Sequence, residues 1–247
     1  MTPSLRHLHV VIPQGIPGVK KLESKFQELL INIRNTFTGK RVSLEFLGLR
    51  QYTYFYITID AALLETIEGL VYATFPEAEI RETEDYTNAF DSVKEELAGA
   101  TIDLHHSDIY PIRTYDMFEE DSAVRLFSVI SKIPTEDRVW VQLIAEPQDD
   151  TAFFHFRRRW AIRLADFMHF FSIRDRMRPG GRESIQPRRH QLAHEKAEIK
   201  PYTVSIRCAY VTADKGSSER KLNALISSFT QFNDKDINEF HGHTVHN

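Results

Sequence analysis

"RVSLEFLGLRQYTYFYITID", residues 41–60, decides the fold. Two runs of alternating residues, Arg41–Leu49 and Tyr52–Asp60, are separated by Arg50 and Gln51 alone. Period-two alternation marks a strand with one covered face, and so short a connection folds the pair into a hairpin. In the second run Phe55, Ile57 and Ile59 share one face, while Tyr52, Tyr54 and Tyr56 share the other. Glu45, on the first run, projects from the tyrosine side.

The flanking segments complete a unit. "LHVVIP" upstream is a short strand ended by Pro13. From Val19, apolar residues recur at helical spacing as Leu22, Phe26, Leu29, Leu30, Ile33 and Phe37, and Gly39 ends the helix. Downstream, "AALLETIEGLVYATF" is a second helix stopped by Pro76, and "EAEIRETEDY" is a last strand. Its charges, Glu79 to Tyr86, fit an edge strand kept soluble. The order is strand, helix, strand, strand, helix, strand, the ferredoxin-like pattern.

The second half repeats it. "ATIDLHHSDIYPI" is a strand, "SAVRLFSVISKI" a helix capped by Ser122 and stopped by Pro134, and "RVWVQLIAEP" a strand. "YTVSIRCAYVTA" is the next strand, "SERKLNALISSFTQF" a helix with Ser217 or Ser218 as cap, and "DINEFHGHTV" holds the final strand. The expected fold class is therefore α+β: two ferredoxin-like (βαββαβ) units in tandem, residues 1–90 and 91–247. The second carries a helical and basic-loop insertion at about residues 148–200. In this tandem the tyrosine face is expected to bury against the second unit, since phenol rings suit an interface with one wet end.

The insertion opens with "FHFRRRWAIRLADFMHFF", residues 154–171. Phe153, Phe156, Trp160, Leu164, Phe167 and Phe171 form one apolar helical stripe, which reads as packing against the protein body. Arg157, Arg158 and Arg159 each turn about 100° from the last, so they cannot form a single clamp. The following "RDRMRPGGRESIQPRRH" has no apolar periodicity. Its Arg174, Arg176, Arg178, Arg182, Arg188 and Arg189 can bind phosphate or carboxylate in bidentate fashion. A polyanion contact, if there is one, is expected there; the alternative is a basic loop without a specific partner.

The 247 residues carry a formal charge of −4, so no overall field drives the chain to nucleic acid or acidic lipid. The distribution is uneven. Arg157 to Lys200 holds twelve Lys and Arg against five Asp and Glu, a net of +7, which leaves −11 on the remainder. This basic segment either meets a partner or neutralises the protein's own acidic face. Cys208 is the single cysteine, so no internal disulfide forms, and its alternating context makes it a small core residue. No apolar run reaches the roughly 18 residues that cross a bilayer.

Catalytic signatures are missing. There is no G-x-x-x-x-G-K-[ST], no H-E-x-x-H and no G-x-S-x-G. Adjacent His105 and His106 face opposite ways in a strand, and His241, His243 and His246 lack partner ligands at metal spacing. No catalytic residue, cofactor or metal is assigned.

A family resemblance adds to this. "YFYITIDAALLETIEGLVYATFPEAEIRETEDY", "DIYPIRTYDMFEE", "RVWVQLIAEPQDD", "YTVSIRCAYVTA" and "LISSFTQFNDKDINEF" run in order along the chain. They resemble the N-terminal accessory region of bacterial ATPases of the type IV secretion and conjugative coupling kind, similar to the HerA/FtsK group of DNA pumps. The stretch Glu68–Tyr86 is the most specific part. The resemblance implies the accessory region alone, without the ATPase domain, and a cytoplasmic location extending to the inner face of the membrane. It implies a non-enzymatic scaffold for protein interaction in DNA translocation. The implied partners are a motor ATPase or secretion-system subunits, with DNA, an anionic membrane surface or a second copy of the chain as further candidates. The alternative function is a nucleic-acid-binding module using the arginine loop and the aromatic face of Tyr52, Tyr54 and Tyr56, on which bases could stack.

Overall fold

The computed structural model describes residues 4–12, 22–114, 117–118, 123–148, 191–193, 196 and 202–245. The hairpin forms as the alternation requires. Strands β2 (Val42–Leu49) and β3 (Tyr52–Asp60) pair antiparallel, from Val42 opposite Ile59 to Leu49 opposite Tyr52. Arg50 and Gln51 take φ of 52° and 67°, the left-handed pair that matches a two-residue turn to strand twist.

The other elements follow in the expected order. Strand β1 (Leu5–Val11) and helix α1 (Leu22–Thr36) precede the hairpin, and α2 (Leu64–Thr74) and β4 (Glu79–Thr83) follow it. Then come β5 (Glu96–Leu104), α3 (Ala123–Ser131), β6 (Arg138–Pro147), β7 (Tyr202–Thr212), α4 (Ser218–Ser227) and β8 (Phe240–Val245).

The α+β class holds, and the sheet is larger than a single ferredoxin-like unit would give. All eight strands form one antiparallel sheet in the order β4-β1-β3-β2-β6-β7-β5-β8. The halves join where β2 meets β6, from Val42 opposite Ala145 to Leu49 opposite Arg138. The reason lies in the edges. Taken alone, each half would leave β2 or β6 as an apolar rim of unpaired backbone, which invites pairing. The outer edge β4 instead carries Glu79, Arg81 and Glu82, as its charge pattern requires.

The helices cover one face. Leu8, Val10, Val42, Leu44, Ile57 and Ile59 pack under Leu29 and Ile33 of α1 and Ile67 and Val71 of α2. In the other half Ile102, Val139, Val141 and Cys208 meet Ile130 of α3 and Leu222 and Leu225 of α4. Phenylalanines bridge the two: Phe46 lies 5.2 Å from Phe55 and 5.0 Å from Phe127, ring to ring. Each large side chain so buried contributes about 1.5–3 kcal/mol. Helix α3 lies close over β2, and only glycine fits at position 48. A Cβ there would come within 2.7 Å of both Ile130 Cγ2 and Val139 Cγ1. Among the described residues no helix is long and apolar enough to cross a membrane.

None of α1–α4 lies on the opposite face. It is crossed by the link between β4 and β5, because β4 is the outermost strand on one side and β5 is next to outermost on the other. This strap, residues 84–95, sits over the sheet where the expected extension of β4 to Tyr86 would have left it open.

Candidate functional site

Strand register sorts the open face into bands. Arg81, His9, Tyr56, Glu45, Gln142, Arg207, Thr101 and His243 stand directly opposite one another across all eight strands. Toward the hairpin turn lies an apolar row of Tyr54, Leu47, Trp140 and Ala209. On the other side lies a polar row of His7, Thr58 and Ser43.

The strap is pinned at the centre. Tyr86 packs its ring 5.0 Å from Tyr56 and 6.0 Å from Trp140, and Phe90 joins the same cluster with Leu47 and Val211. The Tyr86 hydroxyl donates to Glu45 Oε2 at 2.7 Å and accepts from Gln142 Nε2 at 3.2 Å. Glu45 is 3% exposed, so this bond satisfies a carboxylate that has left water. Burial, then the Glu45 charge and hydrogen bond, push the Tyr86 phenol far above its usual range. Arg138 clamps the far end: its Nη1 donates to Ala89 O at 2.8 Å, and it forms an ion pair with Glu95. Glu95 also accepts from the Asp91 amide at 2.9 Å. Asp85 Oδ1 caps the 3-10 turn Tyr86–Ala89 through the Thr87 amide at 2.9 Å.

The tyrosines meet the second half only in part: Tyr54 and Tyr56 pack against a cluster that includes Trp140, Ala209 and Val211, but the second half lies beside them in the sheet and leaves Tyr52 uncovered. Tyr52 is 69% exposed, and Tyr54 and Tyr56 are half-buried. Tyr86 of the strap covers one side of Tyr56. On the other side His9 packs between the rings, 5.6 Å from Tyr54 and 5.2 Å from Tyr56. Burial, and then the Arg81 guanidinium, lower the His9 pKa below that of a free imidazole. Burial, then Tyr54, raise that of Tyr56.

Where the strap leaves β4 there is an open cleft of about 600 Å³. His7 lies in it. Its Nδ1 meets Thr58 Oγ1 at 2.9 Å, and its Nε2 faces Asp85 Oδ2 at 3.9 Å. The cleft wall carries Glu82, Glu84 and Asp85 against Arg6, with Arg6 Nη1 on Glu82 Oε1 at 2.6 Å. Thr58 is buried under the imidazole, so its hydroxyl orients the ring.

Exposed apolar side chains stand on this face toward both ends of the sheet. Of nine exposed large hydrophobic residues among the described ones, Leu5, Val11, Tyr52, Leu97 and Val245 are on the open side of the sheet by strand register. The expectation for His105 and His106 is corrected: they lie in a bend after β5 ends at Leu104, so their rings can meet, and the His105 ring lies 4.6 Å from both His106 and His241, tilted against each. Among the described residues no group of three His, Cys, Asp or Glu could hold a metal ion. The helix Phe153–Phe171 and the candidates Arg174, Arg176, Arg178, Arg182, Arg188 and Arg189 lie outside the described residues.

Sequence reasoning missed Tyr86, Glu95 and Arg138. One signal pointed to them: Glu45 is a lone carboxylate in an apolar strand, and such a group requires a donor when it is covered.

The chain belongs to the DUF8128 family, described as a domain of unknown function; the match spans residues 14–246. No curated protein matches the sequence. Among solved structures the chain is similar to a crystal structure of aclacinomycin oxidoreductase, at 11% identity and a TM-score of 0.42. That similarity covers 94% of this chain and 42% of the other, and it is too distant to carry an activity across.

Proposed function

We propose that this chain is a protein-interaction module without a catalytic step of its own, and that the open sheet face is where its partner docks. The observation that carries this is that, among the described residues, five of the nine exposed large hydrophobic residues stand on that face, in two groups: Leu5, Val11 and Tyr52 on β1 and β3, and Leu97 and Val245 on β5 and β8. Patches of this kind on a soluble surface mark interaction sites. The strap supports the reading, because it fixes the face: Glu45, Tyr86 and Gln142 satisfy one another, which leaves a rigid platform flanked by exposed apolar side chains. We read the platform as two ferredoxin-like units merged into one sheet. From the outer edge inward the first half runs β4-β1-β3-β2, and the second runs in the equivalent order β8-β5-β7-β6. The partner class, a motor ATPase or secretion-system subunit at the cytoplasmic side of a membrane, rests on the sequence resemblance.

The nucleic-acid reading finds less support on this face. Around the tyrosines, Glu79, Glu84 and Asp85 lie on or beside this face against Arg81 alone, an excess of negative charge that would repel phosphates. That reading therefore depends on the arginine loop.

The test is a comparison of co-purifying proteins by quantitative mass spectrometry. One variant carries Val11→Lys, Tyr52→Lys and Val245→Lys; the other carries Ile31→Lys and Tyr72→Lys on the helix layer. All five side chains are exposed, so both variants should fold. The open-face variant is expected to lose a partner that wild type and the helix-layer variant retain. Loss by the helix-layer variant alone contradicts the proposal.

A further inference from the structure

We infer that β8 pairs edge to edge with β8 of a second copy of this chain, giving a closed two-fold dimer with a continuous sheet. This concerns the rim of the sheet and does not rest on the docking-face reading.

The backbone comes first. β8 is the outermost strand and pairs only with β5. Two bonds set which residues face which way. Glu239 O accepts from the His105 amide at 2.8 Å, so that carbonyl faces β5; the Phe240 amide turns outward and donates to Asn233 Oδ1 at 2.8 Å. Successive residues alternate, so His241, His243 and Val245 bond to β5, while Gly242 and Thr244 direct both N–H and C=O outward. Among the described residues nothing bonds to those four groups, and Gly242 is exposed.

An unpaired edge recruits a strand unless charge, proline or a bulge guards it. The opposite rim, β4, carries Glu79, Arg81 and Glu82. β8, FHGHTV, has no Lys, Arg, Asp, Glu or Pro, and its register with β5 is unbroken.

Symmetry names the occupant. Two copies of this edge bring no acid or lysine together. With Gly242 opposite Thr244 of the other copy, the outward groups of both strands satisfy one another, and Asn233 bounds the pairing at Phe240. His243 then faces its own copy on the two-fold axis, and Val245, 54% exposed, faces His241. The axis stands perpendicular to the sheet, so both helix layers lie on one side. Ile226, which packs over Gly242, meets Thr244 of the other copy. A patch that pairs with itself in this way closes at two copies, and the charged β4 rims add no third.

Sedimentation velocity on the full chain, over about a hundredfold range of concentration, is expected to show a reversible monomer–dimer equilibrium. Thr244→Pro removes an outward amide without touching a bond to β5, and should weaken dimerisation at least ~10-fold. His243→Asp should weaken it by ~5-fold, the upper scale for like charges directly opposite across strands, and mixing it with His243→Lys should restore association. His243→Cys should give a disulfide-linked dimer on mild oxidation, since facing Cα atoms in a non-hydrogen-bonded pair lie ~4.5 Å apart. His241→Cys, which faces Val245, should not. Cys208 is buried and does not compete. Circular dichroism checks that each variant is folded; should Thr244→Pro fail to fold, the mixing and disulfide experiments decide. A wild type that stays monomeric or grows beyond two copies, a dimer that survives Thr244→Pro, mixtures no tighter than the single variants, or equal disulfide yields at positions 241 and 243 each overturn the pairing.

Discussion

Removing one oxygen atom tests whether the strap is held as described. In Tyr86→Phe the ring stays against Tyr56 and Trp140, but Glu45 loses its donor and Gln142 its acceptor. A hydrogen bond to a charged group contributes about 1.5–3 kcal/mol, and leaving a buried carboxylate without a donor brings the cost to the upper part of that range. We expect a loss of about 2–3 kcal/mol, or roughly 4–12 °C in Tm for a chain of this size. Glu45→Gln alone keeps an acceptor and should cost less. The double variant Tyr86→Phe with Glu45→Gln should cost less than the sum of the two, with a coupling of about 1–2 kcal/mol, because the partners touch. Urea titration with a common m-value measures all three. A loss below about 0.5 kcal/mol for Tyr86→Phe, or strict additivity in the double variant, would refute the pinning of the strap by this bond.

Three further outcomes follow from single sites. Gly48→Ala should destabilise by about 1–3 kcal/mol, because the new methyl meets Ile130 and Val139 at 2.7 Å and the Ile130 carbonyl at 2.8 Å. Gly242→Ala should cost less, since it meets only the Ile226 side chain; thermal melts showing the reverse order would contradict the packing of α3 on β2. Gln51→Gly should stabilise the chain by about 1 kcal/mol by relieving the left-handed φ of 67°, and an unchanged urea midpoint would count against that turn geometry. The last concerns acid. The Ser218 hydroxyl and then the Gly216 amide hold Glu96 below the usual carboxylate range. For Asp137 burial works upward, but hydrogen bonds from Lys221, Thr212 and Tyr210 outweigh it. Both carboxylates release their proton more readily folded than unfolded. Their stabilisation is thus present above the unfolded values near ~4 and lost as pH falls through the folded ones. Melts from neutral to acidic pH should show Asp137→Asn with a shallower acid decline than wild type, and an equally steep decline would contradict the assignment.

Period-two alternation made the strands legible, and helical spacing made the helices so; that is why β2, β3, β6 and β7 lie where the pattern places them. The merging of the halves was not legible. Whether β2 meets β6 depends on which edges remain free once everything else has packed, and no local pattern encodes it. The strap shows the same limit. Residues 84–95 have no periodicity, and the role of Tyr86 depends on Glu45, forty-one positions away in sequence. Alternation told which face Tyr52, Tyr54 and Tyr56 share, but not that a strap and an imidazole would cover two of them while Tyr52 stayed exposed. The start of α4 is a smaller case. Ser217 occupies the cap position without a capping bond, and Glu96 from β5 supplies the carboxylate by accepting from Ser218 at 2.6 Å.

The docking of a partner on the open sheet face is tested most directly by photo-crosslinking in cells that make the chain naturally. A benzophenone side chain is placed at Tyr52 or Val245 on that face, and at Ile31 or Tyr72 on the helix layer, all four being exposed positions. Discrete adducts of one partner from the two sheet positions, absent from the two helix positions, are the predicted result. Adducts from the helix layer alone, or from no position, would contradict it.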